Sequence, residues 1–200
     1  QTFAATSNAS GQSVLSWTAP SGTGGNAITG YTVTASYSGG SVTATGCTSL
    51  TSTSTGCTLT GLTNGTTYTF TVAATNNAGT GSTATTTATP AGVPGQPTNV
   101  TSTNFDYAAK TILISWNAPS SNGGSAITDY VIEYGGSSSG PWTAFSHTAS
   151  TSTSITVTGL SGIPATYVFR VSAVNNAGTG TASTATTSMV LIKPTTPSGY

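Results

Sequence analysis

A chain of 200 residues has room for one large domain or two small ones. Charged residues make up only 3% of it: Lys110, Arg170 and Lys193 against Asp106, Asp129 and Glu133, a formal net charge of zero. Three scattered cations cannot displace the counterions of a polyphosphate or hold an anionic membrane surface, which excludes nucleic acid as a partner. No apolar run has the length of a bilayer crossing, which excludes membrane insertion by a helix. Ser and Thr together exceed a third of the residues, so hydroxyls take over the solvating role of charge.

So much Thr, Ser and Gly could belong to a disordered tract. The apolar residues argue otherwise, because Trp, Tyr, Phe, Val and Ile recur at alternating positions, as a half-buried strand requires. Thr is β-branched and suits the outer face of such a strand. In chain order, strands are predicted near Phe3–Thr6, Gln12–Thr18, Thr29–Tyr37, Ser41–Thr45, Gly56–Thr60, Thr66–Thr75 and Ser82–Ala88. Residues 91–97 then form a linker in which Pro94 and Pro97 follow Pro90, favouring an extended, semi-rigid connection. Seven more strands follow near Thr98–Ser102, Lys110–Asn117, Thr128–Tyr134, Trp142–Ser146, Ser154–Thr158, Thr166–Asn175 and Thr181–Leu191. Pro194 and Pro197 keep the spacing of Pro94 and Pro97, so residues 194–200 read as the start of a further linker or tail, and the chain as a mature or excised piece of a longer array.

The chain repeats itself. Trp17-Thr-Ala-Pro20 lies over Trp116-Asn-Ala-Pro119, a shift of 99 residues. Gly24-Gly25-Asn-Ala-Ile28-Thr-Gly-Tyr31 and Tyr68 through Gly81 find their counterparts, from Gly123 to Tyr130 and from Tyr167 to Gly180, at the same shift. Short alternating runs broken by turn residues every 8 to 12 positions mark an all-β sandwich. Two domains follow, residues 1–90 and 98–193.

A Trp followed by Ala-Pro, an Ile-Thr-Gly/Asp-Tyr strand entry and a Tyr-x-Phe-x-Val-x-Ala…Asn-x-Ala-Gly segment together resemble fibronectin type III domains. The resemblance covers essentially the whole chain, twice. Its Pro-plus-Gly-Gly-x-x-Ile loop is similar to copies in giant muscle proteins and in bacterial extracellular proteins. It implies two tandem seven-stranded immunoglobulin-like β-sandwiches of bacterial extracellular type.

In such a sandwich Trp17 and Trp116 are expected as central core rings. Tyr31 and Tyr130 join them, with Val33, Phe70, Val72 and Ala74 inward in the first copy and Ile132, Phe169, Val171 and Ala173 in the second. Tyr68 and Tyr167 are expected as corner tyrosines whose hydroxyls bond the main chain near Leu62 and Leu160. Cys47 and Cys57 are the only cysteines, and their even count in a secreted-looking sandwich favours a disulfide over a metal site. Aligning Leu59 with Val157 places Cys57 over Ile155 and Cys47 over Phe145, so a disulfide would fasten in one copy what apolar packing fastens in the other. Two buried free thiols are the alternative.

No catalytic apparatus emerges, and no cofactor or metal site. The single histidine, His147, has no carboxylate near it in sequence and reads as a solvated loop residue. Glu133 and Arg170 are expected to pair across adjacent strands, and the Gly-rich turns lack the Lys and helix of a phosphate loop. Trp142, with Tyr37, Tyr107 and Tyr200, could serve as an exposed aromatic for surface binding. Asn8, Asn64 and Asn99 head N-glycosylation sequons of little weight in so Asn- and Thr-rich a chain. The expected function is a non-catalytic spacer or adhesion module of a secreted or cell-surface protein. Its expected partners are other domains of the same array or identical subunits, with surface proteins or glycans next. A self-assembling filament subunit and an accessory module of a secreted enzyme are the alternatives.

Overall fold

The computed structural model describes residues 2–7, 9–42, 45–160 and 165–191, and among these every regular element is a β-strand. The expected features at Asn8, Lys193, Pro194, Pro197 and Tyr200 lie outside the described residues. The chain divides into two compact units, one made of Gln1–Gly92 and Gly123–Ser125 and the other of Val93–Asn122 and Ala126–Tyr200. Of the expected linker, residues from Val93 onward belong to the second unit.

The first unit contains β1 (Phe3–Thr6), β2 (Ser13–Trp17), β3 (Ile28–Tyr37), β4 (Gly40–Val42), β5 (Gly56–Leu59), β6 (Tyr68–Asn76) and β7 (Gly79–Ala88). They form two antiparallel sheets, β1-β2-β5 and β4-β3-β6-β7. The alternation is clean where it was strongest in sequence: along β2, Ser13, Leu15 and Trp17 are buried while Val14 and Ser16 face out. Leu15, Trp17, Tyr31, Leu59, Leu62, Tyr68, Phe70 and Val72 form the core, with Val33 and Ala74 packed partly buried against it. Thr does what its shape suggests: Thr34 and Thr71 sit opposite each other on β3 and β6 and join hydroxyls at 2.6 Å on the exposed face.

The second unit contains β8 (Thr98–Asp106), β9 (Thr111–Asn117), β10 (Ile127–Gly135), β11 (Thr143–Ala144), β12 (Ser154–Val157), β13 (Ala165–Asn175), β14 (Gly178–Thr179) and β15 (Met189–Leu191). Its sheets run β12-β9-β8 and β11-β10-β13-β14, with β15 also on β13. Ile112, Ile114, Trp116, Tyr130, Ile132, Val157, Leu160, Phe169, Val171 and Ala173 form its core. Trp17 and Trp116 are 4% and 5% exposed, and each indole packs on its partner tyrosine, Tyr31 at 5.4 Å and Tyr130 at 5.1 Å between ring centroids. Truncating either indole to Ala would forfeit roughly 3–5 kcal/mol of its unit's stability.

The last strand of the second copy differs from the continuous run expected over Thr181–Leu191. Between the Val174–Thr179 and Tyr167–Met189 pairs, seven steps along β13 match ten along the partner, so the register slides by three residues. Hydroxyls fill the gaps. Phe169 N–H donates to Thr186 Oγ1 at 3.1 Å and Val171 N–H to Ser183 Oγ at 3.0 Å, while Thr186 N–H and Ser183 N–H donate back to the Phe169 and Val171 carbonyls at 2.8 Å, so side-chain acceptors replace one bond of each ladder pair. In the first copy β7 stays paired to β6 from Gly79 to Ala88 with one irregularity.

Candidate functional site

Cys47 and Cys57 form a disulfide across a sequence separation of 10. Cys57 stands opposite Leu15 on β2, as Ile155 stands opposite Ile114 on β9. Phe145 and Ile155 pack against the second core, while Cys47 and Cys57 occupy the first. The two copies thus close the same region by different chemistry.

Tyr68 is buried, and its hydroxyl accepts the Thr63 N–H at 3.0 Å. Tyr167 occupies the matching place on β13, half-buried rather than buried, and residues 161–164, which follow Leu160, lie outside the described residues. Among the described residues Trp17 Nε1, Tyr31 Oη and Trp116 Nε1 are buried without a hydrogen-bond partner. Burial pushes the Tyr130 phenol up from its ordinary value, against a smaller downward pull from the Trp116 side chain, which is near but outside hydrogen-bonding geometry.

One pair of residues had a role that the repeat marked but did not explain. Asn76, at the end of β6, donates through Nδ2 to the carbonyls of Thr23 at 2.8 Å and Asn26 at 3.4 Å, and accepts the Ala78 N–H at 2.9 Å. Asn175 does the same in the second copy, donating to Asn122 O at 2.7 Å and accepting from Ala177 N–H at 2.8 Å. Each Asn ties the turn after the long central strand to the loop after Trp. In the first unit these loops border a cleft of about 250 Å³, lined by Pro20, Gly22, Gly24, Gly79, Gly81 and Ser82 among others. A Cβ on Gly22 or Gly79 would meet nothing within 4 Å, and one on Gly81 only the Ala74 carbonyl at 3.5 Å.

The aromatic surface candidate is more enclosed than a free platform. Glu133 and Arg170 stand directly opposite on β10 and β13, with Arg170 Nε donating to Glu133 Oε2 at 2.7 Å. The same guanidinium covers Trp142, 4.3 Å from the ring centroid. Trp142 is half-buried with one face taken. Tyr37, 39% exposed, packs edge-to-face with Tyr68, and Tyr107 is half-buried.

His147 departs from the expected solvated loop. It is half-buried and stacked on Phe145, Nε2 lies 2.8 Å from the Tyr130 carbonyl, and Nδ1 lies 2.9 Å from the Thr148 carbonyl. The reason is that residues 145–150 continue from β11 along the same edge of β10. Phe145 N–H donates to Ile132 O at 2.8 Å and Ser150 N–H to Asp129 Oδ1 at 3.0 Å. Both ring nitrogens thus face main-chain oxygens rather than a pocket. Among the described residues no group of three His, Cys, Asp or Glu side chains comes together to hold a metal. The sequon residue Asn64 is committed at both ends of its amide, accepting Gly11 N–H and donating to Ser10 Oγ, each at 2.8 Å.

The profile of the Fibronectin type III domain family matches residues 1–90 and 95–189. Among solved structures, consecutive domains from titin superimpose with a TM-score of 0.60 at 20% identity, over 91% of this chain and 58% of the titin chain, a likeness of fold. Domains FN1 to FN3 of chicken CNTN1 match with a TM-score of 0.46 at 18% identity, over 96% of this chain and 65% of that one. The twitchin kinase region from C. elegans matches with a TM-score of 0.45 at 27% identity, over 50% and 17%. With both copies matched by the profile and both built as paired antiparallel sheets around a Trp–Tyr core, the chain belongs to the fibronectin type III domain family.

Proposed function

We propose that the chain is a non-catalytic spacer or adhesion module within a secreted or cell-surface bacterial protein. The observation that carries this reading is the commitment of its polar chemistry to architecture. His147, Asn64, Asn76, Asn175, Glu133 and Arg170 all bond loops and strands of their own unit. The Cys47–Cys57 disulfide supports an oxidising, extracellular compartment. Among the described residues no helix is long and apolar enough to cross a membrane.

Partners on this reading are other domains of the same array, with surface proteins or glycans as further contacts. A spacer remains a monodisperse monomer in light scattering from low to high salt and across concentration. Growth of the scattering mass with concentration would favour the self-assembling filament instead. Glycan binding abolished by Trp142→Ala would favour the accessory module.

A further inference from the structure

Three Asn-x-Ser/Thr tripeptides occur in the chain, headed by Asn8, Asn64 and Asn99, and the structure describes the last two of these asparagines. Glycan attachment at such a site makes a bond from Asn Nδ2 to the anomeric carbon of a sugar. The nitrogen gives up one N–H, and a bulky hydrophilic group then stands on it. An acceptor asparagine therefore needs an Nδ2 on which no contact of the fold depends, with open space beyond it. The two described residues meet that requirement in opposite ways.

Asn64 is committed. Its Oδ1 accepts the Gly11 N–H and its Nδ2 donates to Ser10 Oγ, each at 2.8 Å, which ties the turn before β2 to the turn before β6. The main chain also crowds that nitrogen: a Cβ on Gly92 would stand 3.0 Å from it. A sugar on Nδ2 would have to take the volume that Ser10 and Gly92 hold.

Asn99 is open. Between the Thr98–Asn117 and Thr101–Ser115 pairs, three steps along β8 match two along β9, so β8 carries one extra residue there. β8 is the outer strand of its sheet, where such a bulge turns a side chain out of the ladder. Asn99 takes a left-handed φ of 51°, a conformation that asparagine adopts more readily than most residues. Val100 packs against the core, while Asn99 and Thr101 are exposed on either side of it. Among the described residues the Asn99 side-chain amide takes no hydrogen-bond partner, so attachment at Nδ2 breaks no bond of the fold.

We propose that Asn99 is an N-glycan acceptor and that Asn64 is closed to the same reaction. The donor class is an oligosaccharide linked through pyrophosphate to a lipid. The Nδ2–sugar bond forms as the bond from sugar to phosphate oxygen breaks, and the proton lost from Nδ2 balances the released lipid pyrophosphate. The Thr101 hydroxyl, two positions on, completes the recognised tripeptide. The inference goes beyond the spacer reading and takes from it only passage through an export pathway.

The test exports the full 200-residue chain from a eukaryotic secretory host, which supplies that donor, and maps occupancy by peptide mass spectrometry before and after peptide-N-glycosidase. The expected result is a glycan on the Asn99 peptide, its enzymatic release leaving aspartate at that position, and none on the Asn64 peptide. Asn99→Gln and Thr101→Ala should each abolish it, the latter keeping the asparagine in its bulge. Thr66→Ala, which spares the Asn64 amide while removing its tripeptide, should leave Asn99 occupancy unchanged. An unmodified Asn99 in the secreted chain, or a glycan on Asn64, overturns the proposal. Neither outcome touches the spacer reading, which fails by concentration-dependent growth in light scattering.

Discussion

Replacing both Cys47 and Cys57 by Ala should destabilise the first unit and leave the second untouched. The disulfide closes a sequence separation of 10. In the chain-entropy account, releasing a loop of that size returns about 9 cal/mol/K to the unfolded ensemble, or about 2.7 kcal/mol at 25 °C. Cys47 is buried in the core, so two lost sulfurs add a small packing penalty in the same direction. For a unit of this size each kcal/mol moves the midpoint by about 4–8 °C, so the first transition should fall by roughly 10–20 °C. Scanning calorimetry of the whole chain resolves the two units, and reductant added to the native protein should reproduce the shift. Equal displacement of both transitions, or a first transition that moves by less than about 3 °C, would refute the reasoning that the bond acts on one unit through the unfolded chain.

Three further outcomes are expected. Gly180→Val should cost the second unit about 1–3 kcal/mol and speed exchange of the Gly95 amide, since its Cβ displaces the Pro94 carbonyl, whereas Gly81→Val should cost the first unit far less; equal damage in calorimetry would contradict the assigned contact. Burial raises the Tyr130 phenol above its unfolded value of about 10, so its contribution to stability is complete below pH 10 and is lost as pH rises through the folded value. The midpoint of the second unit should accordingly fall more steeply above pH 10 in the native chain than in Tyr130→Phe, and parallel curves would count against this. Arg170→Ala should cost only about 1 kcal/mol but uncover Trp142, and acrylamide quenching of tryptophan emission, with Trp17 and Trp116 buried, should rise accordingly.

The fold was legible because its determinants are local and periodic. Alternation along β2 and β6, turn residues at regular intervals and the same Trp-x-Ala-Pro and Asn-Asn-Ala-Gly words written twice dictate a pair of sandwiches. The placement of Trp17 and Trp116 follows from the same pattern, since an indole flanked by outward-facing polar positions has one low-energy side to occupy. The disulfide was legible as chemistry, because two cysteines in a chain with one His and three carboxylates have too few companions to ligate a metal.

Tertiary structure decided what depends on neighbours distant in sequence. Nothing near His147 announces that residues 145–150 lie along β10 and present its ring to the Tyr130 carbonyl. Nothing near Trp142 shows that Arg170, on another strand, would cover its face. The three-residue slide of the last strand arises because Ser183 and Thr186 offer hydroxyls where the ladder would offer carbonyls, a choice invisible to a period-two pattern. Only the placement of Val93 and Pro94 against Gly178 and Gly180 gives those two glycines a role: sequence records that a side chain is missing there, and space decides what the gap admits.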